Sequence, residues 1–299
     1  MSFRCGTVCV IGRANVGKSS FINAIIKEKV SIVSPKPQTT RNNILGIYND
    51  EDSQIVFVDT PGVFEGRDKL SDYMNKSVTQ ASSDVDLVVV MFDGSRDFTQ
   101  KDFELVKRNA DKNVIILVSK TDLVTFEKMY PKLASLNELK VLDIIPFSSV
   151  KRTNLDKVLE IIKNNLPESS PEQCLFDRDD YTDKSVKFIA AEIIREKTLW
   201  CYEEEVPHGV GVHIVEWVEE ENFVQISADI ICDKQSHKPI IIGKKGTGLK
   251  KIGTLARKDI ERLLQKKINL TLWVKVKEDW KNNTALLNEI GYNRYDIEN

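Results

Sequence analysis

The stretch Gly12-Arg13-Ala14-Asn15-Val16-Gly17-Lys18-Ser19 decides the fold of the first half of this 299-residue chain. It matches the phosphate-binding pattern GxxxxGK[ST] in full, and it lies between an apolar run over 7–11 and a helical pattern over 18–27. Its glycines allow backbone N–H groups to close around phosphate oxygens, and the helix N-terminus adds partial positive charge. We therefore expect a nucleoside-phosphate site formed by Gly12, Arg13, Ala14, Asn15, Val16, Gly17, Lys18, Ser19 and Ser20.

The residues around this motif alternate between strand and helix patterns. Apolar runs rich in Val, Ile and Leu, typical of parallel strands covered on both faces, occur at 7–11, 55–58, 86–92, 114–118 and 141–145. Helical patterns lie between them at 18–27, 68–83, 97–111, 126–138 and 154–165. This alternation predicts an α/β fold, a doubly wound parallel sheet, over residues 1–166.

The rest of the chain has a different pattern. Pro167, Ser169, Ser170 and Pro171 indicate a linker over 167–180. A helix over 184–199 is followed by two strand patterns, a glycine-rich turn, a helix ending near Lys267 and a strand over 269–277. The order αββ-αα-β predicts a smaller α+β domain over 181–299.

Composition and charge exclude several classes of protein. The chain is 41% hydrophobic and 29% charged, and its five Cys and three His form no CxxC or zinc-binding constellation. No apolar run approaches the roughly 18 residues of a membrane span, so we expect a cytoplasmic protein. The net charge of −2 is unevenly spread, because residues 234–281 carry 14 Lys or Arg against 4 Asp or Glu. That excess predicts a basic surface for a polyanion.

Polar motifs follow two more of the predicted strands. Asp59-Thr60-Pro61-Gly62 places an acid at a strand end near the expected Mg²⁺, and the Gly62 N–H can meet a γ-phosphate. Ser119-Lys120-Thr121-Asp122 resembles the guanine-reading NKxD motif of small GTPases, in which the carboxylate accepts the N1–H and the 2-amino group. Adenine offers no such pair of donors, so Asp122 favours GTP or GDP. The resemblance extends the base site to Ser148, Ser149 and Val150.

The metal and catalytic residues are predicted from the same motifs. The segment Pro37-Gln38-Thr39-Thr40-Arg41 is the expected first switch, and we assign the switch threonine to Thr40 rather than Thr39 because it directly precedes the Arg, as in similar bacterial GTPases. The expected Mg²⁺ ligands are Ser19, Thr40 and Asp59, and the expected catalytic residues are Lys18, Thr40, Asp59 and Gly62.

Three positions predict how the nucleotide is handled. Val63 stands where Ras-type GTPases carry a water-orienting Gln, so we expect slow hydrolysis without a partner or a cation. Asn15 is similar to the P-loop Asn of GTPases that use K⁺ in place of an arginine finger, so K⁺ stimulation is a hypothesis; a plain loop residue is the alternative. Ser119 replaces the usual Asn and can make fewer hydrogen bonds, which predicts weaker or faster-exchanging nucleotide.

A second motif lies in the basic region. Residues 240–246, Ile-Ile-Ile-Gly-Lys-Lys-Gly, have the IIGxxG form of a KH domain, whose GXXG loop clamps about four nucleotides of single-stranded RNA. A helix with one apolar and one basic face follows it. The predicted RNA-contacting residues are Ile240, Ile241, Ile242, Gly243, Lys244, Lys245, Gly246, Lys250, Lys251, Arg257 and Lys258. The alternative for this stretch is a plain helix-turn.

Taken together, the motifs at 12–19, 34–41, 59–62 and 73–76, and those at 191–197, 204–208, 240–246 and 272–280, resemble the Era family of bacterial GTPases in order and over nearly the whole chain. The resemblance implies a type II KH domain, GTP/GDP and Mg²⁺ as cofactors, and GTP-state binding of the 3′ end of small-subunit ribosomal RNA during small ribosomal subunit assembly. It also implies a peripheral inner-membrane contact for some members; no DNA partner is expected. Ala14, Ser119 and Ser149 depart from the family pattern.

Three alternatives remain at this point. A P-loop ATPase or nucleotide kinase would bind ATP as well as GTP, and Asp122 argues against it. An RNA-binding protein with a purely structural nucleotide domain would turn over poorly even with RNA and subunits. A GTPase directed to a membrane or protein partner would use the basic face for docking.

Overall fold

Near-continuous Val, Ile and Leu runs form the central strands of a six-stranded sheet in the computed structural model, which describes residues 2–62, 68–203, 206 and 209–292. The strands are β1 (Arg4–Gly12), β2 (Ile44–Asn49), β3 (Ser53–Asp59), β4 (Leu87–Asp93), β5 (Val114–Ser119) and β6 (Asp143–Pro146). Their order is β2-β3-β1-β4-β5-β6, and every neighbouring pair is parallel except β2 with β3.

Helices follow the strands as the periodicity predicts, with shorter ends. They are α1 (Lys18–Ile26), α2 (Lys69–Ala81), α3 (Gln100–Lys107), α4 (Phe126–Ala134) and α5 (Leu155–Asn164). Successive strand residues alternate between two apolar cores: Val8 and Val89 belong to one with Phe21, whereas Cys9 and Val90 belong to the other with Leu105. Burial on both faces is the reason for the unbroken apolar runs, and the doubly wound prediction is confirmed.

The edge strand β2 was not predicted from the sequence. It pairs antiparallel to β3 with Ile47 opposite Val56, and its middle residue, Gly46, faces α1. A Cβ at position 46 would lie only 2.7 Å from Ile22 Cγ2 and would also meet Ile26, so the close approach of strand and helix requires glycine here. A glycine in a short, mixed run obscures the strand pattern in the sequence.

The stretch predicted as a linker, 167–180, lies against the first sheet. Ser169 N donates to Phe3 O at 2.9 Å, and Leu175 N donates to the Gln54 side-chain oxygen at 3.0 Å. Further along, Thr182 bridges antiparallel to Gly46 on the free edge of β2. Residues 167–182 are therefore hydrogen-bonded to the first unit at several points, rather than forming a free linker.

The described residues divide into two units that differ from the sequence-based boundaries. The first contains 2–31, 40–62 and 74–183, and the second contains 32–39, 68–73 and the described part of 184–299. The predicted boundary near 167–180 stays a prediction, but in the structure this stretch belongs with the first unit. Residues 32–39, at the start of the predicted switch segment, cluster with the second.

The second unit has the predicted αββ-αα-β order. Its elements are α6 (Val186–Cys201), β7 (Val210–Glu219), β8 (Phe223–Cys232), α7 (His237–Ile242), α8 (Thr247–Leu264), β9 (Lys267–Val276) and a terminal α9 (Thr284–Glu289). The sheet order is β7-β8-β9, with β7 antiparallel and β9 parallel to β8. Helix α8 continues through Gly253 without a break. Within the described ranges, none of the helices combines the length and apolarity needed to span a bilayer.

We predict that Phe21→Ala destabilises the first unit by about 3–5 kcal/mol, the usual cost of removing a fully buried phenyl ring. Phe21 is 0% exposed and makes edge contacts with Phe57 and Phe147 at centroid distances of 5.8 and 5.3 Å. Urea denaturation of the full chain measures the change. The matched control is Phe126→Ala, since Phe126 is 75% exposed and should cost less than about 0.5 kcal/mol. Equal losses in the two variants would contradict this packing.

Candidate nucleotide and nucleic-acid sites

The strand register brings the predicted nucleotide-binding motifs to one edge of the first sheet. Val10 pairs with Asp59 and Gly12 pairs with Met91, so the phosphate-binding loop starts beside the end of β3. On the other side, Ser119 ends β5. Ligands of doubly wound sheets bind beyond the carboxyl ends of the strands, and this edge is therefore the candidate site.

The phosphate-binding loop has the backbone geometry that its sequence predicts. Gly17 has φ +104°, a left-handed conformation that favours glycine, and α1 begins at the next residue. Lys18 is 6% exposed, and its Nζ donates to Gly12 O at 3.1 Å and Arg13 O at 3.3 Å. Burial lowers the pKa of Lys18 to about 8, while the Asp59 carboxylate opposes this shift. A buried ammonium held by two carbonyls is ready to exchange them for phosphate oxygens.

Three oxygen-bearing side chains meet next to this lysine. Ser19 Oγ lies 2.9 Å from Thr40 Oγ1 and donates to Asp59 Oδ2 at 2.7 Å. Asp59 is 0% exposed, and its other oxygen, Oδ1, has no hydrogen-bond partner among the described residues. Burial raises the pKa of Asp59, and nearby Lys18 opposes the rise. Two hydroxyls and a buried carboxylate with a spare oxygen fit Mg²⁺, which prefers hard oxygen ligands.

Thr39, the alternative switch threonine, faces a different environment. Its hydroxyl donates to Lys36 O at 2.6 Å and lies 2.7 Å from Ser34 Oγ. Thr40, by contrast, is 7% exposed and reaches Ser19. The geometry thus supports the choice of Thr40 over Thr39.

Gly62 lies directly against the phosphate-binding loop. A Cβ at position 62 would come within 2.9 Å of Ala14 Cα and 3.0 Å of its nitrogen, so no side chain fits there without moving backbone. The predicted contact of the Gly62 N–H with a γ-phosphate stays a prediction. Val63, on which the prediction of slow hydrolysis rests, lies outside the described residues.

The end of β5 is joined to the phosphate-binding loop by Ser119. Its Oγ lies 2.6 Å from Val16 O and 3.0 Å from Phe92 O, and the residue is 3% exposed. A hydroxyl has one hydrogen and can donate to only one of these carbonyls at a time, whereas an Asn amide has two. The connection to the loop is therefore present with Ser, although with fewer bonds than Asn could make.

The predicted guanine-reading carboxylate is oriented by a neighbouring hydroxyl. Ser148 Oγ donates to Asp122 Oδ1 at 2.5 Å, and Lys151 N donates to Ser148 Oγ at 3.1 Å. One Asp122 oxygen is thereby fixed in direction. Val150, predicted in the same site, is 81% exposed at its rim.

Two contacts near the site were not predicted from the sequence. Lys120 Nζ donates to Asn15 O at 2.6 Å and pairs with Asp93 at 2.7 Å, which joins β4, β5 and the loop. Burial raises the pKa of Asp93, but hydrogen bonds from Lys120 and Ser95 outweigh this and keep it below its usual value. The position of Asp93 at a strand end was the available signal. Arg13, in contrast, directs its side chain to Thr99 Oγ1 at 3.1 Å.

The second unit presents the predicted basic turn. Gly243, Lys245 and Gly246 have φ of 73°, 51° and 79°, so the turn between α7 and α8 is left-handed at three of four positions. A Cβ at Gly243 would lie 2.7 Å from Gly248 N, which explains this glycine. The basic side chains of the turn and the helix face are all exposed: Lys244, Lys245, Lys250, Lys251, Arg257 and Lys258.

The prediction that the Ile240, Ile241 and Ile242 side chains contact RNA is wrong for Ile241. Ile241 is 0% exposed and belongs to the core of the second unit, and its carbonyl accepts the Tyr202 hydroxyl at 2.7 Å. Ile240 is 49% exposed and Ile242 is half-buried. Helical geometry turns adjacent side chains about 100° apart, so three consecutive isoleucines cannot share one surface. Of the 204–208 motif, only residue 206 is described.

Comparisons with known proteins cover both units. Residues 7–120 match the family model described as 50S ribosome-binding GTPase, and residues 205–281 match that of the KH domain. GTPase Era of Clostridium botulinum strain Hall is 44% identical over 294 residues, covering 97% of this chain and 98% of that protein. GTPase Era of strain Eklund 17B of the same species is 42% identical over 296 residues, covering 98% and 99%.

Two solved Era structures superpose on nearly the whole chain. An Aquifex aeolicus Era variant bound to GDP.AlF4- has a TM-score of 0.92 at 35% identity, covering 97% of this chain and 100% of that one. Era in complex with MgGDPNP and nucleotides 1506–1542 of 16S ribosomal RNA has a TM-score of 0.93 at 36% identity, covering 97% and 99%. At these identities and coverages, the chain belongs to the Era family of GTPases.

Proposed function

We propose that this GTPase is a GTP-dependent switch that binds the 3′ end of small-subunit ribosomal RNA and acts in small ribosomal subunit assembly. The observation that carries the proposal is the exposed basic turn Gly243-Lys244-Lys245-Gly246 in the same chain as the nucleotide site. Support comes from the Era structure that contains both MgGDPNP and a 16S ribosomal RNA fragment.

We infer a role for each group of the nucleotide site. Lys18 would exchange its carbonyl partners for β- and γ-phosphate oxygens, and Ser19, Thr40 and Asp59 would hold the metal. Mg²⁺, when bound, neutralises charge that develops on the transferred phosphoryl group. The Gly62 N–H would meet the γ-phosphate, so that loss of this phosphate would release both Thr40 and the loop at Gly62.

The base site reads guanine through hydrogen-bond complementarity. The Asp122 carboxylate accepts from N1–H and the 2-amino group, and Ser148 keeps it in the required direction. Bound adenine would leave this carboxylate desolvated and without hydrogen-bond donors. That loss of binding free energy makes the site select guanine over adenine.

We predict that Ser119→Ala weakens the binding of GDP and of GTP equally, by about five-fold, since it removes one net hydrogen bond worth about 1 kcal/mol.

Asp122→Asn should instead lose most of the preference for GDP over ADP, because an amide nitrogen cannot accept a hydrogen bond from guanine. Competition of GDP and ADP for a fluorescent nucleotide measures both effects. Asp111→Asn, the same chemical change on an exposed loop, is the control. Retained guanine preference in Asp122→Asn would refute the assignment.

We also propose that K⁺ stimulates hydrolysis through Asn15. The hypothesis predicts a higher rate of GTP turnover in KCl than in NaCl at equal ionic strength, and loss of that difference in Asn15→Ala. Nucleotide affinity measured in the same salts separates a catalytic effect from a binding effect. Equal rates in the two salts would remove the hypothesis.

The basic face supports RNA binding and, as a second candidate, contact with an anionic membrane surface. Exposed Lys and Arg side chains along α8 continue the surface of the turn, and such a stripe neutralises a phosphate backbone. The same charges would attract anionic lipid. We therefore place the protein in the cytoplasm, with peripheral inner-membrane contact as the second candidate, and expect no DNA preference.

The double variant Lys244→Ala, Lys245→Ala should bind RNA about ten-fold more weakly or worse, since each phosphate contact contributes to the salt-dependent affinity. The probe is a single-stranded oligonucleotide that matches the 3′ end of small-subunit ribosomal RNA. Binding by the wild type should require GDPNP rather than GDP. Fluorescence anisotropy at fixed salt measures it, with a scrambled oligonucleotide alongside.

Lys266→Ala is the control for this variant. Lys266 is exposed and follows the C-terminal end of α8, whereas the basic turn precedes the N-terminal end of this helix. The 18 residues of α8 therefore separate Lys266 from the turn by about 27 Å. Equal binding in GDPNP and GDP, or to the scramble, would refute the switch. Binding to anionic vesicles but not to RNA would favour the membrane alternative.

A further inference from the structure

Helix α6 of the second unit holds the chain that leads to the proposed metal ligand Thr40. The residues involved are 32–39, which cluster with α6 and not with the sheet that carries the nucleotide site. Three α6 side chains form hydrogen bonds with the backbone near the two ends of this segment, at Val33 and Thr39.

At the first end, both hydrogen-bonding groups of Val33 are taken. Its N–H donates to Glu196 Oε1 at 2.9 Å, and its carbonyl accepts from the Trp200 indole Nε1 at 2.9 Å. Glu196 is 3% exposed and its other oxygen pairs with Lys197 at 2.7 Å, which fixes the carboxylate. Trp200 is 57% exposed, so its indole contributes the hydrogen bond more than it contributes packing.

At the second end, Arg195 donates to the Thr39 carbonyl. Arg195 is 0% exposed and is aligned by Glu192, with Nε to Oε1 at 2.7 Å and Nη2 to Oε2 at 2.5 Å. Its Nη1 has no hydrogen-bond partner among the described residues. A buried, incompletely satisfied ion pair contributes little to stability compared with apolar residues, so the burial of this guanidinium points to positioning.

Between its ends the segment is closed on itself. Ser34 Oγ accepts from Lys36 N at 3.1 Å and lies 2.7 Å from Thr39 Oγ1, which also donates to Lys36 O. The internal hydrogen bonds of the loop and its contacts with α6 therefore fix the backbone of Thr39 relative to α6. The next residue, Thr40, lies 2.9 Å from Ser19 Oγ beside Asp59.

We propose that Arg195 and Trp200 of α6 are positioning residues for Thr40, so that α6 sets the affinity of the nucleotide site for Mg²⁺-GTP over GDP. The inference rests on the proposed role of Thr40 as a metal ligand. It follows that whatever displaces α6 from Val33 and Thr39 withdraws Thr40 from the metal site.

The test measures affinities of full-length variants for GDPNP and GDP across a range of Mg²⁺ concentrations. Trp200→Phe removes the indole donor and should weaken Mg²⁺-GDPNP about three-fold with GDP unchanged, since one net hydrogen bond is lost. Arg195→Lys keeps the charge but loses the fork and should weaken it about ten-fold. Both should need more Mg²⁺ for half-maximal GDPNP binding.

Trp217→Phe is the matched control, because its indole Nε1 donates to Glu219 at 3.0 Å on β7, away from residues 33–39. Thr40→Ala tests the underlying assignment and should show the same selective loss more strongly. If Thr40→Ala leaves Mg²⁺-GDPNP binding intact, the proposed metal ligand is wrong and this inference falls with it.

If Thr40→Ala shows the loss but Trp200→Phe behaves like Trp217→Phe, the positioning role alone is overturned. Equal weakening of GDP and GDPNP by Trp200→Phe would also overturn it, since that pattern indicates a merely structural contact. Should Arg195→Lys fail to fold, as judged by thermal unfolding, Trp200→Phe decides the question.

Discussion

The parallel register of β1 with β3 and β4 is the constraint on which the nucleotide site depends. It sets Asp59 beside Val10 and Met91 beside Gly12, so the two strand ends and the loop that follows Gly12 share one edge. Every later contact uses this alignment, because Ser19 reaches Asp59 and Ser119 reaches Val16 only from these starting points. A shift of one residue would reverse the faces of the strand and separate these groups.

Buried charge is the second common feature of the two units. Lys18 and Asp59 are both buried, and each opposes the effect of burial on the other's pKa; Arg195 is buried beside Glu192 in the second unit. Burying charged groups costs stability unless they are well paired. Their burial here indicates that their position matters more than the stability they cost. In the first unit these groups lie where we propose that phosphate and a metal ion bind, and in the second unit Arg195 donates to the Thr39 carbonyl.

Much of the fold and the nucleotide site could be predicted because the signals are local. The phosphate-binding motif, the acid at the end of β3 and the Ser119–Asp122 loop each occupy a few consecutive residues next to an apolar run. Features that depend on pairing between distant residues were missed: β2, the docking of 167–183 on the sheet, and the hold of α6 on Val33 and Thr39. Ile241 was misassigned because an apolar run does not reveal which residue faces the core.

The docking of residues 181–183 along β2 has a consequence for chain length. Asp183 accepts from Leu45 N at 2.9 Å, and Ser185 already caps α6 by accepting from Phe188 N at 3.3 Å, so Lys184 alone joins the two anchored residues. Two residue steps span at most about 7 Å. Deletion of Lys184 would therefore cost either the hydrogen bond between Leu45 and Asp183 or the Ser185 cap of α6.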